Sequence, residues 1–335
     1  MTPVTLNVAV IGVGHLGRHH ARLYKTVPNA TLVGVCDNDA ARAQAVAKEH
    51  GTEAFTDFKA LFGKVDAVSV SVPTVGHHAI AKEFLSRGIA CLVEKPMTRT
   101  IAEGEELVKL ARAKNATLQV GHIERFNPAY RAIEGVIKKP RFIEIHRLSP
   151  FRFRSTDIDV VYDLMIHDLD IVLSLVKSPI ARLDAVGVSL LFGTEDIANA
   201  RLEFENGCVA NITASRISDK AMRKIRLFSD EGYASIDTGE KSARFYKTSP
   251  QLAEALAKLP KDREPSIADI AQIPQEFYEI REVKVANEEP LANELKSFVE
   301  AVAAKKEPVV TGEDGLAALK LAEQVLAEIR GHRWK

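Results

Sequence analysis

The segment LNVAVIGVGHLG, from Leu6 to Gly17, contains the pattern that decides the fold of the first part of this chain. It begins as a run of β-branched and small apolar residues and ends in three glycines spaced as G-x-G-x-x-G. An amphipathic helix is predicted from about His15 to Lys25, then a second strand, Thr31–Cys36, and then Asp37. Strand, glycine turn, helix, strand and acid, in this order, predict a βαβ unit that binds a dinucleotide.

The residues of this turn have separate physical tasks. Gly12 permits the tight turn, Gly14 lets the backbone approach a pyrophosphate, and Gly17 lets the helix pack close to the strand. The helix start offers N–H groups and a positive dipole end to phosphates. Asp37 would accept hydrogen bonds from the adenosine ribose and repel a 2′-phosphate, so NAD is the predicted cofactor; a plain turn with a capping aspartate is the alternative. The predicted contacts of this unit are Gly12, Gly14, His15, Leu16, Gly17 and Asp37.

Helices and strands continue to alternate up to residue 121. Strands are predicted at 66–72, 90–94 and 117–120, and helices at 40–50, 77–87 and 101–114. Apolar strands separated by helices indicate a parallel sheet that is covered on both faces. We therefore predict an α/β fold that begins with a doubly wound Rossmann domain, residues 1–122. Ligands of such sheets bind at the carboxyl ends of the strands. This adds Pro73, Thr74, His77, Glu94, Lys95 and Gly121 to the predicted cofactor site.

The pattern changes after Asn127. Short alternating strands are predicted at 141–147, 181–191, 198–204, 208–215 and 224–228, joined by turn signals such as Glu205-Asn-Gly207. Successive short strands with tight turns indicate antiparallel pairing. We therefore predict a C-terminal α+β domain, residues 123–289, with an open, largely antiparallel sheet. The segment 249–276 is predicted to be an excursion with one short helix near 252–258. Residues 290–335 are predicted to form closing helices that pack back against the two domains.

Two positions carry candidate catalytic groups. Lys95 follows a buried strand and precedes a proline, so a rigidly held amine could stabilise the negative charge of a substrate hydroxyl that loses its proton. On a helix, Asp163, His167 and Asp170 fall at i, i+4 and i+7 and share one face. His167 can accept a proton near neutral pH, and Asp163 could orient its imidazole. Asp168 is predicted to point elsewhere, where it is solvated or caps a neighbouring group. The alternatives are a solvated lysine and a structural histidine–aspartate pair.

The glycine turn and Glu94-Lys95-Pro96 together resemble the Gfo/Idh/MocA family (glucose-fructose oxidoreductase, inositol dehydrogenase, rhizopine catabolism). Pro290–Phe298 and Thr311–Leu316 look like the closing segment of that family. The resemblance implies an NAD(P)-dependent oxidoreductase that acts on sugars or other polyols. It also implies a catalytic Lys95, often in a cis bond to its proline, and a second domain whose open sheet often forms the dimer interface. A homodimer or homotetramer through the C-terminal sheet is therefore expected.

The same resemblance assigns the second-domain helix. The aspartate, histidine and aspartate at Asp163, His167 and Asp170 match the family signature, which implies a catalytic His167. The family commonly has a glycine two residues before this histidine, where the present chain has Met165. Because a methionine narrows the space beside the site, the pose of the substrate is left open.

Two stretches rich in polar and cationic residues, 121–128 and 149–159, bear on the substrate. Guanidinium groups suit phosphate oxygens, so arginines here could bind a diphosphate. The stretches look like the subgroup that oxidises the 3-hydroxyl of UDP-N-acetylglucosamine, whose 3-keto product a partner enzyme aminates towards lipid A. Two alternatives stay open, a dehydrogenase of free inositol or an aldose, and a non-catalytic regulator that senses NAD(P). The predicted substrate contacts are Arg125, Asn127, Arg154, Asp170 and Arg216.

Composition limits the remaining classes. The chain has 335 residues, of which 46% are hydrophobic, and its 45 basic residues balance 45 acidic ones. No clustered positive face predicts nucleic-acid binding, and no apolar run is long enough for a membrane span. Neither a signal peptide nor a metal site is predicted. Cys36, Cys91 and Cys208 are interpreted as buried, inert thiols of a cytoplasmic protein.

Overall fold

The structure is a computed structural model that describes residues 4–151, 158–191, 193–230, 232–248, 250–271 and 278–332. Its first sheet has six parallel strands in the order β3-β2-β1-β4-β5-β6. These strands are β1 (Leu6–Ile11), β2 (Ala30–Cys36), β3 (Glu53–Phe55), β4 (Ala67–Val70), β5 (Ala90–Glu94) and β6 (Leu118–Gly121). The helices of this domain are α1 (Gly17–Tyr24), α2 (Ala40–His50), α3 (His77–Leu85) and α4 (Ile101–Lys114). The predicted doubly wound parallel sheet is confirmed, and the short edge strand β3 is an addition to it.

The glycine turn explains why α1 begins at Gly17 rather than at the predicted His15. Gly12 adopts φ +83°, a left-handed conformation that glycine tolerates best. A Cβ on Gly17 would lie 1.7 Å from the carbonyl oxygen of Gly12, so only glycine permits this approach. Residues 14–16 form the turn between Gly12 and Gly17, and the helix begins only after this turn.

The second sheet has eight strands in the order β14-β13-β12-β11-β7-β10-β9-β8. Only the central pair, β7 and β10, is parallel among the strand pairs described. The strands are β7 (Phe142–Leu148), β8 (Ile180–Val188), β9 (Ile197–Phe204), β10 (Val209–Ser215), β11 (Met222–Ser229), β12 (Gly232–Asp237), β13 (Ser242–Thr248) and β14 (Tyr278–Val283). The predicted open, largely antiparallel sheet is confirmed. Strands β12 to β14 extend it beyond the last strand that the sequence predicted.

Two helices of the second domain, α5 (Pro128–Ile133) and α6 (Ile166–Val176), cover one face of this sheet. Two more helices, α7 (Pro250–Ala257) and α8 (Ile267–Ile270), belong to the excursion before β14. The helix predicted near 252–258 is thus present, shifted slightly towards the N-terminus. A π-helical turn, Val161–Met165, leads directly into α6. Inward-facing residues of the sheet and apolar residues of α5 and α6 form one core.

Two closing helices, α9 (Pro290–Ala304) and α10 (Gly312–Gly331), return to the first domain. Leu291, Leu295 and Phe298 of α9 share a core with β1 and β2. Helix α10 belongs to both domains, because Leu321 and Val325 pack in the core of the second sheet while Gly315 lies against β6. The closing segment therefore fixes the crevice between the two sheets.

Within the described ranges, no helix is both long enough and apolar enough to cross a membrane.

Candidate active site

The glycine turn forms a cradle at the carboxyl end of β1. A Cβ built on Gly14 would meet no atom within 4 Å, so the space beside its backbone is open to an approaching pyrophosphate. His15 and Leu16 are exposed beside it, at the start of α1. An open backbone at a helix N-terminus suits phosphate groups. The residues of this turn therefore fit a dinucleotide.

Asp37 closes the other end of the cradle. Its side chain is largely buried and accepts a hydrogen bond from the backbone N–H of Val13 at 2.9 Å and from that of Asp39 at 3.0 Å. The Arg42 guanidinium lies 3.3 Å from the same carboxylate. These contacts hold a negative charge at the end of β2, where the ribose hydroxyls of an adenosine would lie. The fit favours NAD over a cofactor with a 2′-phosphate.

Lys95 lies at the carboxyl end of β5, and its bond to Pro96 is cis, as the family resemblance implies. Its Nζ donates a hydrogen bond to the backbone oxygen of Asp163 at 2.6 Å. The same amine is 3.7 Å from the Asp163 carboxylate. The amine of the first domain therefore touches the turn that leads into α6 of the second domain. This contact bridges 68 residues of sequence separation.

His77, predicted to contact the cofactor, instead joins two loops of the crevice. Its Nδ1 is 3.0 Å from the Pro96 carbonyl oxygen and its Nε2 is 2.9 Å from that of Val72. The ring is almost completely buried, and this burial lowers the pKa of His77. Pro73 and Thr74 begin the 3-10 turn between these loops. His77 thus ties the loop after β4 to the backbone at Pro96, directly after Lys95.

Glu94 and Gly121 are also support rather than exposed contacts. Glu94 is buried and lies 2.9 Å from His20 Nε2 of α1. A Cβ on Gly121 would come within 2.9 Å of the Glu94 carboxylate, so glycine leaves room for that side chain. Both residues therefore determine how the ends of β5 and β6 pack next to Lys95.

His167 lies in the first turn of α6, on the crevice side. Burial, together with the positive charges of Lys95, Arg147 and Arg223 and the His122 ring, lowers the pKa of His167 well below its usual value. Its Nδ1 is enclosed and has no hydrogen-bond partner among the described residues. The imidazole is therefore neutral at neutral pH, and Nε2 is the nitrogen left to face the crevice.

The predicted pairing of Asp163 with His167 differs from the structure. A π-helix needs more residues per turn than an α-helix, so residues four apart no longer lie one above the other. Asp163 belongs to the π-helical turn, and its carboxylate approaches Lys95 instead of the imidazole. Asp163 therefore contacts the Lys95 amine, in the turn that precedes the helix of His167.

His122, which was not predicted as a site residue, lies beside His167. The two rings are 6.3 Å apart, with an edge-to-face angle of 87°. His122 is 1% exposed, and neither of its ring nitrogens has a partner among the described residues. Burial lowers the pKa of His122, so this ring too is neutral. Its place directly after β6 was the signal that the sequence offered.

The structure gives Arg125 and Asp170 a task other than the predicted binding of substrate. Arg125 Nε is 2.7 Å and its Nη2 is 3.0 Å from the two carboxylate oxygens of Asp170. Both side chains are nearly enclosed, with 11% and 1% exposed. In a bidentate pair of this kind, two N–H groups on one side of the guanidinium bond to the same carboxylate. The pair ties the turn after β6 to α6.

Asn127 and Arg216 are likewise occupied within the chain. Asn127 caps α5 through the Ala129 N–H at 3.0 Å and donates to Glu124 at 3.2 Å. Arg216 Nε bonds to Asp196 at 2.8 Å, and its other nitrogens reach a backbone oxygen and a threonine hydroxyl. Both side chains therefore have structural partners within the chain, and their predicted contact with substrate stays a prediction. Arg154 lies outside the described residues.

Asp168 is completely buried, which contradicts the prediction that it is solvated or caps a neighbouring group. Arg147 of β7 binds it through two hydrogen bonds, of 2.9 Å and 2.8 Å. The same guanidinium bonds to Glu124 at 2.9 Å. Sequence analysis missed Arg147 because its partners lie far away along the chain. The triad joins β7, α6 and the turn after β6 behind His167.

Metal and thiol chemistry find no support in the described ranges. They contain no group of three or more His, Cys, Asp and Glu side chains that could hold a metal ion. Cys36, Cys91 and Cys208 are free and buried, as predicted. Burial raises the pKa of Cys36 to about 12 and that of Cys208 to about 11, so these thiols are protonated and unreactive.

Comparison with known proteins agrees with this geometry. Residues 6–122 match the family model of the oxidoreductase family with an NAD-binding Rossmann fold, and residues 131–235 match that of the GFO/IDH/MocA C-terminal domain. The UDP-N-acetylglucosamine 3-dehydrogenase of Acidithiobacillus ferrooxidans is 36% identical over 323 residues, which cover 96% of each chain. The chain belongs to the Gfo/Idh/MocA family. As a Gfo/Idh/MocA member it is an oxidoreductase with an NAD-binding domain.

Two further similarities place the chain within the Gfo/Idh/MocA family. The solved structure of the Acidithiobacillus ferrooxidans enzyme superposes with a TM-score of 0.86 at 35% identity and covers 98% of this chain and 99% of its own. The scyllo-inositol 2-dehydrogenase (NAD(+)) of Bacillus subtilis is 32% identical, but over only 63% of this chain and 67% of its own. The similarity to the nucleotide-sugar enzyme is thus the more extensive of the two.

Proposed function

We propose that this chain oxidises the 3-hydroxyl of UDP-N-acetylglucosamine to the 3-keto sugar, with NAD as the hydride acceptor. The observation that carries the proposal is the 2.6 Å bond from Lys95 Nζ to the backbone of Asp163. It brings the amine of the first domain to the turn that precedes α6, the helix that carries His167. The extensive similarity to a UDP-N-acetylglucosamine 3-dehydrogenase supports this choice of substrate.

The side chains of the crevice divide the reaction between them. When NAD is bound, its nicotinamide would accept the hydride that leaves the carbinol carbon. His167 Nε2 accepts the hydroxyl proton, and its lowered pKa keeps it deprotonated beforehand. The Lys95 ammonium stabilises the negative charge that develops on the oxygen. Asp163 positions Lys95, and the Arg147 triad holds α6 and therefore His167.

NADH formation tests the proposal. The purified chain is given UDP-N-acetylglucosamine, free N-acetylglucosamine or scyllo-inositol, and only the first is expected to be oxidised efficiently. His167→Asn and Lys95→Met should each lower kcat about 100- to 10,000-fold while NAD affinity is kept. Lys64→Met, which removes an exposed surface lysine, is the matched control. Efficient oxidation of scyllo-inositol with no turnover of the UDP-sugar would replace the proposal by a polyol dehydrogenase.

We also propose that a second copy of the chain covers the open face of the eight-stranded sheet. Four aromatic side chains form a continuous row there, across the neighbouring strands β7, β11, β12 and β13. Their ring centroids are 5.8, 4.6 and 5.0 Å apart. The charged groups beside the row are internally balanced, since Arg226 bonds to Glu144 at 2.8 Å. The row consists of Phe142, Phe228, Tyr233 and Tyr246.

The mass in solution tests this assembly. Wild type should be a dimer or tetramer by light scattering, and Phe228→Glu should shift it towards the monomer because a charge would be buried in the interface. Ile267→Glu, at an exposed apolar position outside the sheet, is the control and should keep the wild-type mass. A monomeric wild type at micromolar concentration would contradict the assembly. A cytoplasmic location, which three free thiols support, is part of the same proposal.

A further inference from the structure

Three cations act on His167 and lower its pKa: Lys95, Arg147 and Arg223. Lys95 already donates to Asp163, and Arg147 is 6% exposed and fully engaged by two carboxylates. Arg223 differs, because 51% of its side chain is exposed. The one polar partner of its guanidinium in the described part of the chain is Glu124, at 3.8 Å, which is beyond hydrogen-bond distance. Its guanidinium therefore keeps its donors for another partner.

The strand geometry aims Arg223 at the crevice. Side chains alternate along β11, so Arg223 shares the face of Ile225 and Leu227, which are buried under the helices. Arg223 also lies directly opposite Arg147 of β7 in the register of the two strands. Arg147 uses its donors on Asp168 and Glu124. Of these two opposed guanidinium groups, the exposed Arg223 is therefore the one that an anion in the crevice can reach.

We propose that Arg223 binds the diphosphate of the substrate and thereby selects nucleotide sugars over free sugars. The proposal rests on the function proposed above. A guanidinium presents paired N–H donors that match phosphate oxygens. Arg125 and Arg216 are already occupied by Asp170 and Asp196. Among the three cations that act on His167, only Arg223 combines exposure with unused donors.

Arg223 would thus act as an anchor for the diphosphate. Calorimetry of UDP binding to the complete chain tests this anchor without requiring turnover. Arg223→Ala should weaken UDP binding and raise KM for the UDP-sugar about 10- to 100-fold, the size of a charge-assisted hydrogen bond. Arg223→Lys should recover part of the loss because it keeps the charge without the fork. NAD affinity should stay unchanged, and so should kcat/KM for free N-acetylglucosamine, however low, when it is measured at a pH above the acidic limb.

Arg244→Ala is the matched control. Arg244 is an arginine with 58% of its side chain exposed, and its nearest acidic partner, Glu282, lies 3.4 Å away. It lies on β13, on the face away from the crevice. Its removal should leave UDP affinity and KM at the wild-type values, with the thermal unfolding temperature of both variants checked for an intact fold.

The pH profile gives a readout that a purely structural role would not change. Loss of the Arg223 charge should raise the pKa of His167, since Lys95, Arg147 and His122 remain as the other groups that lower it. The acidic limb of kcat/KM should therefore move to higher pH in Arg223→Ala and stay in place in Arg223→Lys.

The outcomes separate the anchor from the function on which it rests. Wild type that binds UDP while Arg223→Ala binds it equally well overturns the anchor and leaves the function intact. Wild type that does not bind UDP overturns both. Loss of UDP binding in Arg223→Ala, with no turnover of UDP-N-acetylglucosamine by wild type, supports the anchor and overturns the proposed reaction.

Discussion

At the scale of single residues, Gly14 is a position where a side chain should affect cofactor binding but not folding. A Cβ there would touch nothing within 4 Å, whereas a Cβ on Gly17 would collide with the Gly12 carbonyl. Gly14→Val should therefore leave the thermal unfolding temperature almost unchanged and weaken NAD binding at least about 10-fold, because the side chain occupies the path of the pyrophosphate. Fluorescence titration with NADH measures the affinity. A variant with unaltered affinity would show that the pyrophosphate lies elsewhere.

His167 carries the pH dependence of the proposed reaction. A general base must be deprotonated to act, and burial together with Lys95, Arg147, His122 and Arg223 lowers the pKa of His167 below 6.5. Activity should therefore persist as the pH falls below 6.5 and be lost only when the imidazole finally takes a proton. A profile of kcat/KM against pH, with NAD saturating, checks this. An acidic limb above pH 7 would be incompatible with the lowered pKa.

At the same scale, the sequence pointed to candidate residues but not to their partners. Lys95 and His167 were predicted as candidates because each residue type stands at a position that strand ends or helix spacing define. The pairing of Arg125 with Asp170 bridges 45 residues, and no local pattern encodes it. Arg125 and Arg216, predicted to bind substrate, form ion pairs with Asp170 and Asp196 in the structure. Contacts of this kind depend on the assembled fold.

At the level of elements, the triad of Arg147, Asp168 and Glu124 joins β7, α6 and the turn after β6. Removing one member of a buried ion pair leaves an uncompensated charge and typically costs about 3–5 kcal/mol. Arg147→Met should therefore lower the free energy of unfolding by about that amount. The combined replacement by Arg147→Met, Asp168→Leu and Glu124→Leu should recover most of the loss, because no buried charge remains.

Urea unfolding measures these stabilities. Arg141→Met is the control, because its pair with Asp230 is exposed on both sides and such pairs contribute little. If Arg147→Met unfolds at the same urea concentration as wild type, the triad is not a stabilising connection.

The elements themselves were largely predictable, with two informative exceptions. Apolar runs and helical periodicity located the Rossmann strands and helices within a few residues. The π-helical turn at Val161–Met165 was missed because hydrophobic periodicity does not resolve one extra residue in a turn. Strands β12 and β13 were missed because Tyr233 and Tyr246 stand on the open face, which weakens the alternation of apolar and polar residues. In β14, Arg281 lies opposite the inward-facing Phe245 and interrupts the pattern there.

At the scale of the whole molecule, Glu294 of α9 is buried between the closing segment and the first domain. It is 0% exposed, and neither carboxylate oxygen has a partner among the described residues. Burial, and then the charge of Glu94, raises the pKa of Glu294 well above its usual value. A raised folded-state pKa means that stability is full below the unfolded-state pKa and declines as the pH rises through the folded-state value.

Glu294→Gln removes this pH dependence. The variant should match wild type near pH 4 and exceed it at pH 8 by on the order of 1–3 kcal/mol, the cost of a buried unsatisfied group. Thermal unfolding across this pH range measures the difference. Glu300→Gln, on the same helix but exposed, should follow wild type throughout. A constant difference between Glu294→Gln and wild type would show that ionisation is not the cause.

Helix α10 has a consequence for biosynthesis. Its residues complete the core of the second sheet and lie against β6 of the first. A ribosome translates residues 290–331 only after both domains have been synthesised, so the apolar surfaces that α9 and α10 cover stay exposed until then. Folding is consequently completed late in synthesis, and until then both apolar surfaces are accessible to proteases and chaperones that bind nascent chains.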